Sequence, residues 1–126
     1  MYQSLALFQT AHAMATHAGA RQAVTARNVA NADTPDFRAQ HIAPFDEVYK
    51  TDTMPLMRIT RAGHMTTATS VPTAQMADSG SQPSPNGNSV SIEEEMMDAI
   101  NISREHSRAL AIYRHGMTVL RSSLGR

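Results

Sequence analysis

The 126 residues carry eleven basic and eleven acidic side chains, so the formal charge is zero, and cysteine and tryptophan are both absent. That balance removes the positive field that gathers nucleic acid or an anionic lipid surface, and the missing thiols exclude disulfides and thiolate metal sites. Three Tyr, three Phe and nine Met leave few bulky groups for a deep core, although the length suits one domain of about 100–200 residues.

From the N-terminus, Met1-Tyr2-Gln3-Ser4 has no cationic opening, and no apolar run approaches the roughly 20 residues a bilayer span needs. Neither a cleaved signal peptide nor a membrane span is expected. Pro35, Pro44, Pro55, Pro72, Pro83 and Pro85 are all of the prolines, which leaves both ends free of the strongest helix breaker. The chain therefore divides into an N-terminal helix over 1–33, an irregular Pro/Ser/Thr-rich segment over 34–89 and a C-terminal helix over 90–126. The fold class expected is mainly α, with two long terminal helices packed as in a coiled coil.

In the first helix Phe8, Ala11, Ala15, Ala18, Gln22, Thr25 and Val29 follow alternating steps of three and four, the 3.5-residue period of a helix seam. Most of these side chains are small. Such a seam allows close approach but buries little area, so the helix calls for partners. The helical pattern then stops at Asn31-Ala-Asp-Thr-Pro-Asp36. Pro35 pushes Thr34 toward an extended backbone and cannot continue a helical ladder. Asn and Asp can satisfy the carbonyls left open at a helix end, and Asn28 and Asn31 stand one turn apart. The helix should end between Asn31 and Asp33.

The middle holds two extended-looking pieces, 39–45 and 56–60. Residues 66–89 are dominated by Thr, Ser, Pro, Gly and Asn, a composition that offsets little ordering entropy, so a mobile loop is expected there. Asn86-Gly87 signals a turn.

In the second helix Ser91 and Glu94 have the spacing of a capping box, and Glu93, Glu94, Glu95 and Asp98 put negative charge at the favourable end of the dipole. Ile92, Met96, Ala99, Ser103, His106, Leu110, Tyr113, Met117, Leu120 and Leu124 form a seam of the same period. Arg114, His115, Arg121 and Arg126 gather toward the other end. An antiparallel hairpin would bring Arg21 and Arg27 of the first helix near the Glu run; pairing between subunits would serve them equally.

No residue pattern suggests catalysis. His12, His17, His41, His64, His106 and His115 contain no His-x-x-x-His pair, and no phosphate loop or nucleophile elbow is present. No catalytic, cofactor or metal site is expected, and the methionines read as adaptable packing.

One long motif stands out. Asn28-Val-Ala-Asn-Ala-Asp-Thr-Pro-Asp-Phe37 resembles the N-I-A-N-A-D-T-P-G-Y/F signature that follows the first helix in the bacterial flagellar rod and hook protein family. Thr60 with His64-Met65, and Gly87-Asn-Ser-Val-Ser-Ile-Glu-Glu-Glu-Met96, resemble further elements of its proximal-rod members. Asp36 stands where that motif has Gly, a left-handed position Asp can adopt; Phe37 replaces the common Tyr; and 100–113 lacks the family's usual M-A-E-N-Q-L-R-Y wording.

The resemblance implies a structural subunit of the proximal rod of the flagellar basal body, not an enzyme. It implies export without a cleaved signal through the flagellar type III apparatus, and assembly in the periplasm into a shaft that transmits torque and conducts later substrates. Its implied partners are copies of itself, other rod proteins, the adaptor FliE and the membrane ring protein FliF. Asn28, Asn31, Asp33, Thr34, Pro35 and Phe37 would fix the chain's exit from the inner helical layer. Phe8, Ala15, Ala18, Val29, Ile92, Met96, Leu110, Tyr113, Met117, Leu120 and Leu124 would pack the helices. The alternative is a soluble helical adaptor or chaperone of a secretion system; a histidine-based metal-binding bundle is a third class.

Overall fold

The computed structural model describes residues 2–51 and 75–125. Helix α1 runs Tyr2–Ala30, strand β1 Gln40–Ile42, helix α2 Phe45–Thr51, strand β2 Met76–Asp78 and helix α3 Ile92–Ser123. The molecule is mainly helical, and its two long helices are the terminal ones.

These helices pack antiparallel. Phe8 meets Tyr113 edge-on with ring centroids 5.2 Å apart, Arg21 Nη1 donates to Glu105 Oε2 at 2.8 Å, and Asn28 Nδ2 donates to Glu95 Oε1 at 2.7 Å. On α3 the buried positions are Glu95, Ile102, Ala109 and Gly116, spaced by seven, the repeat of a coiled-coil seam. On α1 the buried side chains are Ala11, His17, Ala18, Val24, Thr25 and Asn28. Small residues dominate this interface. At Gly116 an added Cβ would sit 3.1 Å from the Phe8 ring, so the glycine is what lets the aromatic lie against α3.

The charge pairing differs from the sequence expectation. Arg21 engages Glu105, two turns beyond the acidic opening of α3, and Arg27 Nη1 donates to Gln40 Oε1 at 3.4 Å.

The middle segment is more structured than its composition predicts. The β1 strand falls inside the expected extended piece at 39–45 and pairs antiparallel with β2, with His41 opposite Ala77. Its Ile42 side chain is buried. The sequence reading missed α2. The Pro44 carbonyl accepts from the Glu47 and Val48 amides, Asp46 and Glu47 occupy the first turn, and Phe45 stacks on Tyr49 with centroids 5.5 Å apart. The expected loop at 66–89 needs correction over 75–89. Strand β2 is paired there, Ser84 N donates to Asn88 O at 2.7 Å, and Ser89 N donates to Phe37 O at 3.0 Å. Backbone and Asn side-chain hydrogen bonds, rather than apolar burial, order this stretch. The expected extended piece at 56–60, the Thr60 and His64-Met65 element, Pro55, Pro72 and Arg126 lie outside the described residues.

Candidate functional site

Two features carry the functional reading: a polar joint where the chain leaves α1, and the apolar side chains that the hairpin leaves outside.

At the joint α1 ends at Ala30 and three short-range turns follow. Asn31 N donates to Asn28 O at 3.0 Å, Ala32 N to Val29 O at 3.2 Å, and Thr34 N to Asn31 O at 3.0 Å. Asn31 Nδ2 returns to Arg27 O at 2.8 Å, and Thr34 Oγ1 donates to Asn31 Oδ1 at 3.3 Å. Asp36 adopts φ 59°, the left-handed conformation that the departure from Gly left to an Asp. Its amide donates to Asn86 O at 3.1 Å. Gly87, at φ +81°, lies so close that any Cβ there would run into the Asp36 carboxylate and backbone.

Asn28 is 1% exposed and serves as the hub. Its Nδ2 donates to Gln40 O at 2.7 Å and to Glu95 Oε1 at 2.7 Å, while its Oδ1 accepts from Gln40 N at 3.2 Å. One amide thus ties α1 to β1 and α3. Asn88, 3% exposed, closes the other side. Its Nδ2 reaches the carbonyls of Asn31 at 2.9 Å, Ala32 at 2.8 Å and Thr34 at 2.8 Å, and its Oδ1 accepts from Val90 N at 2.7 Å. Carbonyls orphaned where a helix stops need such partners, and here they come from a residue more than fifty positions away. Ser89 Oγ accepts from Ala39 N at 2.8 Å, and Ser91 Oγ accepts from Glu94 N at 3.4 Å to cap α3.

Of the motif residues expected to fix the exit, Asn28 is buried in the joint and Asn31 is half-buried beside it. Phe37 is half-buried too, its carbonyl taken by Ser89. Asp33, Thr34 and Pro35 are exposed. Sequence reasoning did not place Gln40, Asn88 or Glu95 in the joint, having read Glu95 as a dipole charge and Asn88 as part of the Gly87–Met96 motif. Asn88 was legible in part, because an Asn between a turn glycine and a helix cap is placed to bond backbone on both sides.

Glu95 shares the buried seam with Ile102, and burial holds its carboxyl above the ordinary glutamate range. Asp98 and Glu94 push the same way, while hydrogen bonds from Asn28 and Thr25 pull it back. A cavity of about 20 Å³, lined in part by Arg21, Thr25, Gln40, Glu95 and Asp98, adjoins this carboxylate and has room for about one water. Farther along α1, His17 is 4% exposed and, among the described residues, neither ring nitrogen has a hydrogen-bond partner. It packs edge-on against Phe45 at 5.6 Å. Burial, then the Arg21 guanidinium, hold its pKa below the ordinary value, and Glu105 acts in the opposite sense. Among the described residues no group of three or more His, Cys, Asp or Glu is placed to hold a metal, and no helix is long and apolar enough to cross a membrane.

The outer faces carry large apolar side chains among the charged ones. Within the single chain the seam positions Ala18 and Phe8 pack inside the hairpin, with Ala15 half-buried, but Val29, Ile92, Met96, Leu110, Tyr113, Leu120 and Leu124 are exposed and Met117 is half-buried. The intramolecular seam of α3 is displaced from the expected one by a single residue (95, 102, 109 beside 96, 103, 110), about 100° round the helix. Leu7, Met97, Ile100 and Val119 add to the exposed set.

No family model matches the chain. A relative does: the flagellar basal body rod protein FlgB of Agrobacterium fabrum strain C58 is 33% identical over 111 residues, which cover 82% of this chain and 81% of the relative. The chain belongs to the FlgB family of flagellar basal body rod proteins. A helical hairpin with buried polar ties and exposed apolar side chains is in keeping with a flagellar rod subunit of this family.

Proposed function

We propose that this chain is a structural subunit of the proximal rod of the flagellar basal body, and that it polymerises through its terminal helices. The rod so formed would transmit torque and conduct export substrates through its lumen. The subunit itself leaves the cytoplasm through the flagellar type III export apparatus without a cleaved signal and assembles in the periplasm. Its neighbours are copies of itself and other rod proteins, with FliE and the FliF ring at the base.

The observation that carries this reading is the row of large apolar side chains along the outside of α3: Ile92, Met96, Leu110, Tyr113, Leu120 and Leu124. An apolar stripe of helical period facing outward marks a surface for association. With its FlgB relative, the chain has a rod to associate in. In that assembly the expected seam of α3 packs between subunits, while the seam shifted by one residue holds the hairpin itself. The exposed Asp33, Thr34 and Pro35 at the joint then face adjacent subunits, and Asn28 and Asn31 set the direction in which the chain departs from the inner layer.

Deleting the gene should abolish motility and stop rod assembly, and the chain should co-purify with intact basal bodies. Basal bodies that assemble normally without it would overturn the reading. A narrower test uses Asn31→Ala with Thr34→Ala; unchanged rod assembly and motility would show that the exit segment is not critical.

A further inference from the structure

Asn86-Gly87 is a chemically reactive pair as well as a turn signal. The amide nitrogen of the following residue can attack the Asn side-chain carbonyl carbon and close a five-membered succinimide. The new bond joins Gly87 N to Asn86 Cγ, the bond from Cγ to Nδ2 breaks, and ammonia leaves with the proton of the Gly87 amide. Water then opens the ring at either carbonyl, giving aspartate or isoaspartate. Glycine favours closure most, because no Cβ shields its nitrogen and its backbone is the least restricted. The other asparagines are followed by larger residues: Asn28 by Val, Asn31 by Ala, Asn88 by Ser and Asn101 by Ile.

The folded chain holds this pair away from ring closure. The peptide between Asn86 and Gly87 is planar and is clamped at both edges: its N–H donates to Ser84 O at 2.8 Å, and its carbonyl accepts from Asp36 N at 3.1 Å. The electrophilic side chain is tied as well, with Asn86 Oδ1 accepting from Asn88 N at 3.1 Å. Pro85 second and Gly87 fourth are the positions of a type I turn, and the φ of Asn86 is not the positive one of type II. Such a turn sets Asn86 at ψ of about 0°, whereas closure needs Gly87 N to eclipse Asn86 Cβ, about 120° of rotation away. That rotation breaks both bonds of the clamped peptide and moves Gly87 from its seat against Asp36.

We propose that Asn86-Gly87 is a self-modification site, kept unreactive by the folded joint and open in the unfolded chain, so that a copy left unfolded loses the means to build the joint. The inference does not depend on the rod reading. Isoaspartate at 86 routes the main chain through Cβ and Cγ and so lengthens it. The carbonyl that accepts from Asp36 N becomes part of a free carboxylate, close to the Asp36 carboxylate that lies against Gly87. The 84–88 loop, closed by Ser84 N on Asn88 O at 2.7 Å, then no longer fits. Asn88 is drawn away from the carbonyls of Asn31, Ala32 and Thr34. Aspartate, the other product, keeps the main chain and an acceptor for Asn88 N.

The full purified chain is followed over days in native buffer and in concentrated urea, at the same mildly alkaline pH. Peptide mass mapping reads deamidation at each Asn, and isoaspartyl methyltransferase labelling reads isoaspartate. Asn86 should convert first in urea and at least about ten-fold more slowly in native buffer, the factor expected when closure must first break two hydrogen bonds. Asn88→Ala should raise the native rate and leave the urea rate unchanged. After return from urea to native buffer, chains with isoaspartate at 86 should lack hydrogen-exchange protection at 31–40 and 88–90, which Asn86→Asp retains. Equal rates in the two conditions, earlier conversion at another Asn in urea, or full protection in the isoaspartate chains would each overturn the proposal. Failure of Asn86→Asp to form the joint would overturn the main-chain account of the loss.

Discussion

The two ends of the α1–α3 hairpin are built on opposite principles. At the joint, Asn28 and Asn88 are almost wholly buried and bond to backbone or side-chain groups from β1, the turns after α1 and the start of α3. At the open end, among the described side chains, the aromatic pair Phe8 with Tyr113 lies against a glycine, and Leu120 and Leu124 face outward. Directional bonds specify one geometry, because a buried polar group left without its partner is costly. Apolar surface specifies much less and is free to be covered by whatever packs there. The joint is therefore held in one geometry by bonds, whereas the open end leaves apolar surface uncovered within the chain.

The strongest way to break this contrast is Asn88→Ala. It removes the side-chain donor from the carbonyls of Asn31, Ala32 and Thr34, of which Asn31 and Thr34 keep a backbone donor, and the acceptor of the Val90 amide, and should cost roughly 3 kcal/mol, read as a lower midpoint in urea unfolding. Hydrogen exchange should localise the effect, with faster exchange at 31–40 and 88–90 and little change near Tyr113. Uniform loss of protection along both helices would mean that the ends are not separately organised.

Next comes Asn28→Ala, at about 2 kcal/mol, since it removes the bonds to Gln40 and Glu95 and leaves a buried carboxylate with one fewer donor. A double-mutant cycle with Glu95→Gln sharpens it. Residues sharing a hydrogen bond should show an interaction energy of about 0.5 kcal/mol or more, whereas independent sites add.

Two buried titrating groups give opposite pH limbs. The Glu95 carboxyl is held above its unfolded value, so the folded state binds more protons there; its stabilising share is fully present below the ordinary glutamate range and is lost as pH rises through the raised value. The His17 pKa is held below its unfolded value, so the unfolded state binds more protons there, and stability is lost as pH falls from the ordinary histidine value through the lowered one. Unfolding midpoints across pH 4 to 8 should separate the two. Glu95→Gln keeps an acceptor for Asn28 and should remove the loss on the alkaline side, and His17→Leu should remove the loss on the acid side. His17→Leu should also stabilise the protein above that limb by about 1 kcal/mol, because it takes away ring nitrogens that are buried without partners.

How much of this was legible beforehand follows from which physics operates locally. The terminal helices, the stop before Pro35 and the Ser91 cap rest on periodicity, proline chemistry and short-range bonds, and each can be read from neighbours in sequence. The seam that holds the hairpin lies one residue from the seam that periodicity picks out on α3, because the neighbouring face also carries apolar side chains and Glu95 on the inner face looked like a dipole charge. Only the distant Asn28 and Thr25 make that position a tolerable place for a carboxylate. The order in 75–89 was hidden because composition counts apolar area, while this segment is held by Asn88, Ser89 and strand pairing to residues 37–42. A chain can be poor in apolar groups and still ordered when another segment supplies orphaned carbonyls for it to satisfy.

The smallest expected effect probes the open end. Gly116 is an interior helix position, and Ala there gains up to about 1 kcal/mol in helix propensity. The opposing term is the Phe8 ring, which the new methyl would meet at 3.1 Å, a few tenths of an ångström too near. Phe8 is only half-buried and its pair with Tyr113 is edge-on, so the ring can yield toward solvent at little cost. Gly116→Ala should therefore raise the unfolding midpoint slightly, with a shift in the Phe8 and Tyr113 aromatic resonances and none at Asn28 or Asn88. Were the open end as rigidly specified as the joint, the ring could not move and the same substitution would destabilise by more than about 1 kcal/mol, as overpacking does in a close-packed core. The sign of this one change thus measures whether the apolar end is set by the subunit or left for the assembly to set.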